Sequence, residues 1–177
     1  MTLPQSGDKG AAFPVVYWPQ WKCRASFFAA DALPDFPKDS LYAVLGFVFH
    51  QDQVVLAHIR GRGYCIPSGK IEPGEEPLDA LIRETYEETG ARLEPHRAHV
   101  IGWYGLEPNA AATPWPQRIC PVYMAEVDSY SDIPDGSESD GVRLATLEEV
   151  PVIYFFWDEL IAAVFKHSEL VRRDLLK

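Results

Sequence analysis

A helical segment bounded by proline and glycine, residues 77–89, constrains the fold of this chain more than any other feature. Pro77 suits the first position of a helix, and Gly90 stands where helices usually end in a left-handed residue. Leu78, Leu81 and other residues three and four positions apart form one stripe that would be buried. The sequence therefore predicts a helix that packs on one face, near the middle of the chain.

The polar face of this helix carries three glutamates, Glu84, Glu87 and Glu88. Residues three or four apart share a helix face, and like charges so placed destabilise a helix by about 0.2–0.5 kcal/mol per pair. Carboxylate oxygens that converge on one point suit hard cations such as Mg²⁺ or Mn²⁺. For the glutamates alone, a solvated acidic face is the commoner explanation, so the surrounding residues decide.

Seven identities around the helix match one spaced pattern, G-x5-E-x7-R-E-U-x-E-E-x-G-U. They are Gly69, Glu75, Arg83, Glu84, Glu87, Glu88 and Gly90, with Thr85 and Ala91 at the aliphatic positions U. At about 7% usage per residue type, a chance match in a chain of this length is roughly one in a million. The segment resembles the Nudix box, and the chain resembles the Nudix hydrolase family.

The resemblance implies a role for each matched residue. The three glutamates would bind Mg²⁺ or Mn²⁺ ions, and the backbone carbonyl of Gly69 would be a further ligand. Arg83 would hold a glutamate in place through a salt bridge, and Glu75 would brace the loop before the helix. The implied reaction is hydrolysis of a diphosphate linkage, because bound metal ions neutralise phosphate oxygens and lower the pKa of the attacking water.

The general base of this reaction is left open between a glutamate of the box and a residue of a later loop. Residues 128–141 are polar and acidic and are expected to form a solvent-exposed loop. Within it, Glu138 is the first candidate and Asp140 the alternative. For either residue taken alone, an ordinary solvated position is the more frequent case.

Substrate selection must come from residues outside the box, because every substrate of such an enzyme shares the diphosphate. Aromatic side chains can stack on a base, and arginines can bind phosphate oxygens. The candidates for substrate binding are Arg60, Arg62, Tyr64, Trp103 and Tyr104, with Trp115 as a further aromatic.

The expected substrate is a small nucleoside diphosphate derivative: a nucleoside triphosphate, an oxidised nucleotide or a sugar nucleotide. The first alternative is a domain that senses a nucleotide without turning it over, although such domains usually lose carboxylates of the box. The second is an isomerase of the family's prenyl-diphosphate branch, for which Cys65 would be the active-site cysteine.

Composition restricts the partners and the compartment. A formal charge of −10 makes duplex nucleic acid a poor partner. The three cysteines, Cys23, Cys65 and Cys120, include no C-x-x-C pair, and no apolar stretch is long enough to span a membrane. We therefore expect a cytoplasmic protein without disulfides or a membrane span, and a homodimer stays open.

The apolar pattern predicts an α/β fold, specifically a Nudix-like α/β/α sandwich with a mixed β-sheet. Strands are predicted over residues 41–50, 53–59, 99–104, 119–127 and 142–145, and a C-terminal helix over 156–176. Pro121 predicts that its strand is bulged or lies at an edge.

Residues 1–40 differ from the rest in being rich in proline and aromatic residues. They are interpreted as an N-terminal arm with one strand, near residues 15–17 or 23–28, whose aromatic side chains pack on the domain. The Nudix hydrolase domain is expected to span residues 41–177.

Overall fold

The computed structural model describes residues 13–109 and 118–177. Within those ranges a nine-stranded mixed sheet lies between helices, and a two-stranded sheet stands beside it. The strands are β1 (Val16–Trp18), β2 (Cys23–Ala29), β3 (Ala43–His50), β4 (Gln53–Ile59), β5 (Gly63–Cys65), β6 (Ser68–Lys70), β7 (Ala91–Arg92), β8 (Ala98–Pro108), β9 (Arg118–Glu126), β10 (Ser129–Tyr130) and β11 (Ser139–Ala145). The α-helices are α1 (Pro77–Thr89), α2 (Val150–Ile153) and α3 (Glu159–Leu175).

The main sheet has the strand order β1-β2-β8-β9-β3-β4-β11, with β5 paired to β4 and β6 paired to β3. Strands β3 and β9 are parallel, and the other pairs are antiparallel. The small sheet joins β10 to β7, so part of the loop expected over residues 128–141 is strand.

Alternation along β3 assigns its side chains to the two faces of the sheet. Phe47 and Phe49 belong to the apolar cluster that contains α3, and the ring of Phe47 lies 4.7 Å from that of Phe165. Val44 and Val48 belong to the cluster that contains the buried stripe of α1. Helices therefore cover both faces, and the predicted α/β/α sandwich is confirmed.

Helix α1 has the predicted bounds. It begins at Pro77 and ends at Thr89, and Gly90 follows with φ of 70°, in the left-handed region. A Cβ at position 90 would stand 2.1 Å from the carbonyl oxygen of Ser131, so that position requires glycine for space as well as for conformation. Gly90 thereby fixes the end of α1 directly after the last glutamate of the acidic face, Glu88, and Thr89.

The proline at position 121 does not place its strand at an edge. Strand β9 lies between β8 and β3, so of the two alternatives predicted for this strand the edge position is excluded. An irregularity is present in the pairing instead, because the register of β8 with β9 shifts between Val100 and Gly102, beside the Trp103–Pro121 pair. The central strand thus accommodates a residue without an N–H next to a bulge in its neighbour.

The C-terminal helix begins three residues later than predicted. Asp158 is its N-cap, and the carboxylate accepts a hydrogen bond from the backbone N–H of Ile161 at 2.8 Å. The apolar residues before it, Phe156 and Trp157, pack on the core without being helical. In the part of the chain that the structure describes, no helix is long and apolar enough to cross a membrane.

The described part of the N-terminal arm is continuous with the main sheet. Both strand positions considered from the sequence are strands, and β1 and β2 form a hairpin. Strand β2 then pairs with β8 from Cys23, opposite Pro108, to Ala29, opposite Gly102. We call residues 16–29 the N-terminal hairpin.

Candidate active site

Strand β6 brings Gly69 against the acidic face of α1. It pairs with β3, with Gly69 opposite Val44. A Cβ at position 69 would lie 1.9 Å from the carboxyl carbon of Glu84, so only glycine lets the backbone and this carboxylate approach so closely. The Gly69 backbone and the glutamates of α1 are thereby brought to one place.

Arg83 joins three carboxylates and the loop before the helix. Its Nε and Nη2 donate to the two carboxylate oxygens of Glu75 at 2.8 and 2.9 Å, a bidentate pair. Its Nη1 donates to Glu84 at 2.8 Å and lies 3.4 Å from Glu87, and Nη2 also donates to the carbonyl of Lys70. The hydrogen bonds from Arg83 to Glu75 hold the pKa of Glu75 below its usual value. Arg83 makes the contacts that a positioning residue requires.

Glu88 is the most enclosed carboxylate of α1, with 7% of its surface exposed. It accepts a hydrogen bond from the backbone N–H of Ser68 at 2.9 Å. Burial raises its pKa to about 8, although that hydrogen bond opposes the change. Burial also raises the pKa of Glu84, against the opposing effect of Arg83. Charged carboxylates are therefore held here at a cost in free energy.

A cavity of about 890 Å³ opens over this group, at the upper end of the range usual for small-molecule sites. The carboxylates of Glu84, Glu87 and Glu88 form part of its wall together with Gly69. Other residues of the wall are aromatic or cationic, and they include Trp18, Trp21, Tyr42, Arg62, Arg118, Tyr154 and Phe155. The cavity therefore combines an acidic region with an aromatic one.

The residue types present fit a hard divalent cation. Among residues 13–109 and 118–177, no three His, Cys, Asp or Glu side chains already stand as a formed metal centre. Nevertheless, three carboxylates share a wall with Gly69, whose missing side chain leaves the room that Glu84 occupies. A bound cation would also offset the cost of the buried charge on Glu88.

Three of the residues predicted from outside the box lie in the cavity wall: Arg62, Tyr104 and Glu138. Tyr104 is buried, and Glu138 is exposed immediately before β11. Asp140, the alternative to Glu138, lies outside the wall and is paired with His58, whose Nδ1 is 2.5 Å from it. The geometry therefore favours Glu138 of the two.

The other residues predicted for substrate binding lie outside the cavity wall. Arg60 donates to the carbonyl of Ser137, and Tyr64 packs on His58 with the rings 4.8 Å apart. Trp103 neighbours Tyr104 in β8, and successive side chains of a strand point to opposite faces of the sheet. Trp103 therefore faces away from the cavity, where its ring stacks on that of Phe28. The remaining aromatic candidate, Trp115, is outside the described residues.

Sequence reasoning missed most of the aromatic wall. Trp18 and Trp21 come from the N-terminal hairpin, Tyr42 precedes β3, and Tyr154 and Phe155 follow α2. The aromatic density of the arm was a signal, but no local pattern connects residues so distant along the chain. Pairing of β2 with β8 is what brings the hairpin to the cavity.

In the metal-free protein, Glu88 should make stability depend on pH. Its folded-state pKa of about 8 exceeds the usual value of 4.5. The favourable contribution is therefore fully present below pH 4.5 and is lost as the pH rises through 8. At pH 9, Glu88→Gln should exceed wild type in free energy of unfolding by something of the order of a few kcal/mol.

Urea unfolding of both proteins in EDTA, at acidic and alkaline pH, measures this difference. The two proteins should be close in stability at pH 4 and diverge as the pH rises. Parallel pH profiles would show that Glu88 ionises in the folded protein as it does in water.

Comparison with known proteins agrees with this architecture. A family model described as the NUDIX domain matches residues 40–166. A point mutant of the Bacillus subtilis pyrophosphohydrolase BsRppH superposes with a TM-score of 0.66 at 22% identity, covering 86% of this chain and 91% of that one. A NUDIX hydrolase from Nitrosomonas europaea superposes with a TM-score of 0.56 at 19% identity, covering 73% and 87%. These likenesses establish the fold.

Curated relatives match over shorter segments. The asymmetrical bis(5'-nucleosyl)-tetraphosphatase of Mus musculus is 34% identical over 84 residues, which are 47% of this chain and 55% of the mouse protein. The 8-oxo-dGDP phosphatase NUDT18 of Homo sapiens is 42% identical over 64 residues, 33% of this chain and 20% of the human protein. The matches thus span about half of the mouse relative and a fifth of the human one. The family model covers most of the residues of the present chain, which therefore belongs to the Nudix domain family.

Proposed function

We propose that this protein is a divalent-metal-dependent hydrolase that cuts a diphosphate linkage in a nucleoside diphosphate derivative. The observation that supports this most is the shared cavity. Its acidic wall suits a metal-bound diphosphate, and its aromatic wall suits a base.

Each group of the acidic region has a task in this proposal. Glu84, Glu87 and Glu88 would hold Mg²⁺ or Mn²⁺, with the carbonyl of Gly69 as a further ligand. Bound there, the cation would neutralise phosphate oxygens and lower the pKa of the attacking water. Arg83 fixes the direction of the Glu84 carboxylate through its 2.8 Å hydrogen bond.

Two residues of the wall would act on the substrate directly. Arg62 would bind phosphate oxygens, which suit its planar guanidinium group. Glu138 would accept a proton from the attacking water. At the same step the water oxygen forms a bond to phosphorus, and the bridging P–O bond breaks. Glu138 is exposed and lies in the cavity wall, so its carboxylate can return the proton to solvent.

The names of the relatives support the substrate class. One is named for a bis(5'-nucleosyl) tetraphosphate and the other for 8-oxo-dGDP, and both compounds contain nucleosides joined to phosphoanhydrides. The −10 charge of the chain also supports a small-molecule substrate over duplex nucleic acid.

The prenyl-diphosphate isomerase alternative loses support in the structure. Cys65 lies in the cavity wall, but only 2% of it is exposed. Burial raises the pKa of its thiol to about 12, so the group stays protonated at neutral pH.

The alternative function is a nucleotide-sensing domain that performs no hydrolysis. The two functions are distinguished by incubating the protein with Mg²⁺ and a panel of compounds. The panel contains nucleoside triphosphates, 8-oxo-dGDP, ADP-ribose and a bis(5'-nucleosyl) tetraphosphate. Release of phosphate, pyrophosphate or a nucleoside monophosphate from at least one compound is the expected result. Binding of a compound without any product would favour the sensing domain.

A further inference from the structure

We propose that the N-terminal hairpin selects substrates that carry a planar aromatic group, with Trp21 as the residue that stacks on that group. This inference rests on the proposed function and deepens it by assigning the specificity. The hairpin precedes residue 40, where the match to the family model begins. The residues that make this contact therefore lie outside the segment that the family model describes.

The hairpin is held firmly against the domain. All seven residues of β2 pair with β8, from Cys23 to Ala29. The indole N–H of Trp18 donates to the carboxylate of Asp158 at 2.7 Å, which ties β1 to the N-terminus of α3. Trp18 is buried against Tyr104, whose ring lies 5.5 Å away. Both strands that flank the turn between β1 and β2 are thus fixed to the rest of the domain.

Trp21 lies in that turn, and its backbone N–H donates to the carbonyl of Trp18. Although it is a large apolar side chain, 43% of it is exposed, and it forms part of the cavity wall. Its ring meets those of Trp18, Phe155 and Phe156 at centroid distances of 5.2, 6.3 and 6.1 Å, in edge-type arrangements. The indole is held in place by its neighbours and still presents surface to a ligand.

A second planar group belongs to the same wall. The guanidinium carbon of Arg118 lies 3.7 Å from the ring centroid of Tyr42, and both residues line the cavity. An arginine stacked on tyrosine adds a flat, cationic surface of the kind that accepts a base or its phosphate. A ligand with a diphosphate at the carboxylates and a planar group at these residues matches the two regions of the cavity.

The hairpin also supplies a matched control for a test of Trp21. Tyr17 is an aromatic residue of the same hairpin, 52% exposed, but it is outside the cavity wall. Both side chains are aromatic and about half exposed. Only loss of Trp21 should alter recognition of a ligand in the cavity.

Calorimetry with two non-hydrolysable probes, in the presence of Mg²⁺, tests the proposal. The methylene-bridged analogue of ADP contains a nucleoside, whereas methylenediphosphonate carries the same bridged diphosphate without one. Trp21→Ala should raise the Kd of the ADP analogue roughly five- to hundredfold and leave that of methylenediphosphonate unchanged. Trp21→Phe should recover most of the affinity, and Tyr17→Ala should match wild type for both probes.

An equal loss for both probes in Trp21→Ala would mean that the substitution disturbs the whole cavity, and an unchanged Kd for the ADP analogue would mean that Trp21 does not touch the nucleoside. Either result overturns the proposal. Since neither probe is cleaved, this outcome is independent of turnover. If wild type binds the ADP analogue and hydrolyses none of the nucleotide panel, the proposed hydrolase fails while the role of Trp21 is still decided.

Discussion

Removal of divalent cations with EDTA should reduce hydrolysis to background, and added Mg²⁺ or Mn²⁺ should restore it. The reason lies in the acidic region of the cavity, where Glu84, Glu87 and Glu88 would otherwise repel the phosphate oxygens of the substrate. A cation reverses that repulsion and makes the water a better nucleophile. Product release, measured before and after metal is returned, is the assay.

The far-ultraviolet circular dichroism of the EDTA-treated protein serves as the control, because the fold should persist without metal. Undiminished turnover in the chelator would contradict the mechanism. In that case the carboxylates would be an ordinary solvated face of α1.

Glu88→Gln should lower kcat by at least about a hundredfold for every substrate, with little change in their ranking. The change removes one anionic oxygen ligand and preserves the volume of a side chain that is 7% exposed. The effect belongs to the chemical step common to all diphosphates, so it should not depend on the base. Steady-state kinetics across the nucleotide panel measures it.

A matched control is Glu94→Gln, which makes the same chemical change at an exposed residue outside the cavity wall. That variant should retain the wild-type kcat. If Glu88→Gln also retained a rate near that of wild type, Glu88 would have no part in metal binding. If it changed the substrate ranking strongly, its role would lie in recognition.

The fold near the box could be predicted closely because its determinants are local. Pro77 and Gly90 mark the two ends of α1, and the structure places the helix between them. The spacing of the glutamates also predicts that they share a face, since helix geometry alone decides this. Such signals lie within a few residues of one another and need no knowledge of the rest of the chain.

The aromatic wall could not be predicted because it depends on strand order. Whether Trp103 or Tyr104 faces the cavity is decided by the register of β8, and a shift by one residue would exchange them. Pro121 shows the same limit, because a missing N–H favours an edge strand in general but a bulge in β8 accommodates it at the centre of this sheet. In both cases the pairing of strands that are distant in the sequence decides the outcome.

The hydrogen bond between Trp18 and Asp158 has a consequence for synthesis of the chain. It joins residues 140 positions apart, so a ribosome makes one partner near the start of this sequence and the other near its end. Until Asp158 has left the ribosome, Trp18 lacks this acceptor. Strand β2 likewise cannot pair with β8 until β8 has been synthesised. The nascent protein therefore completes its cavity late, and a ribosome-bound fragment that ends at residue 150 should fail to retain a nucleotide that the full chain binds.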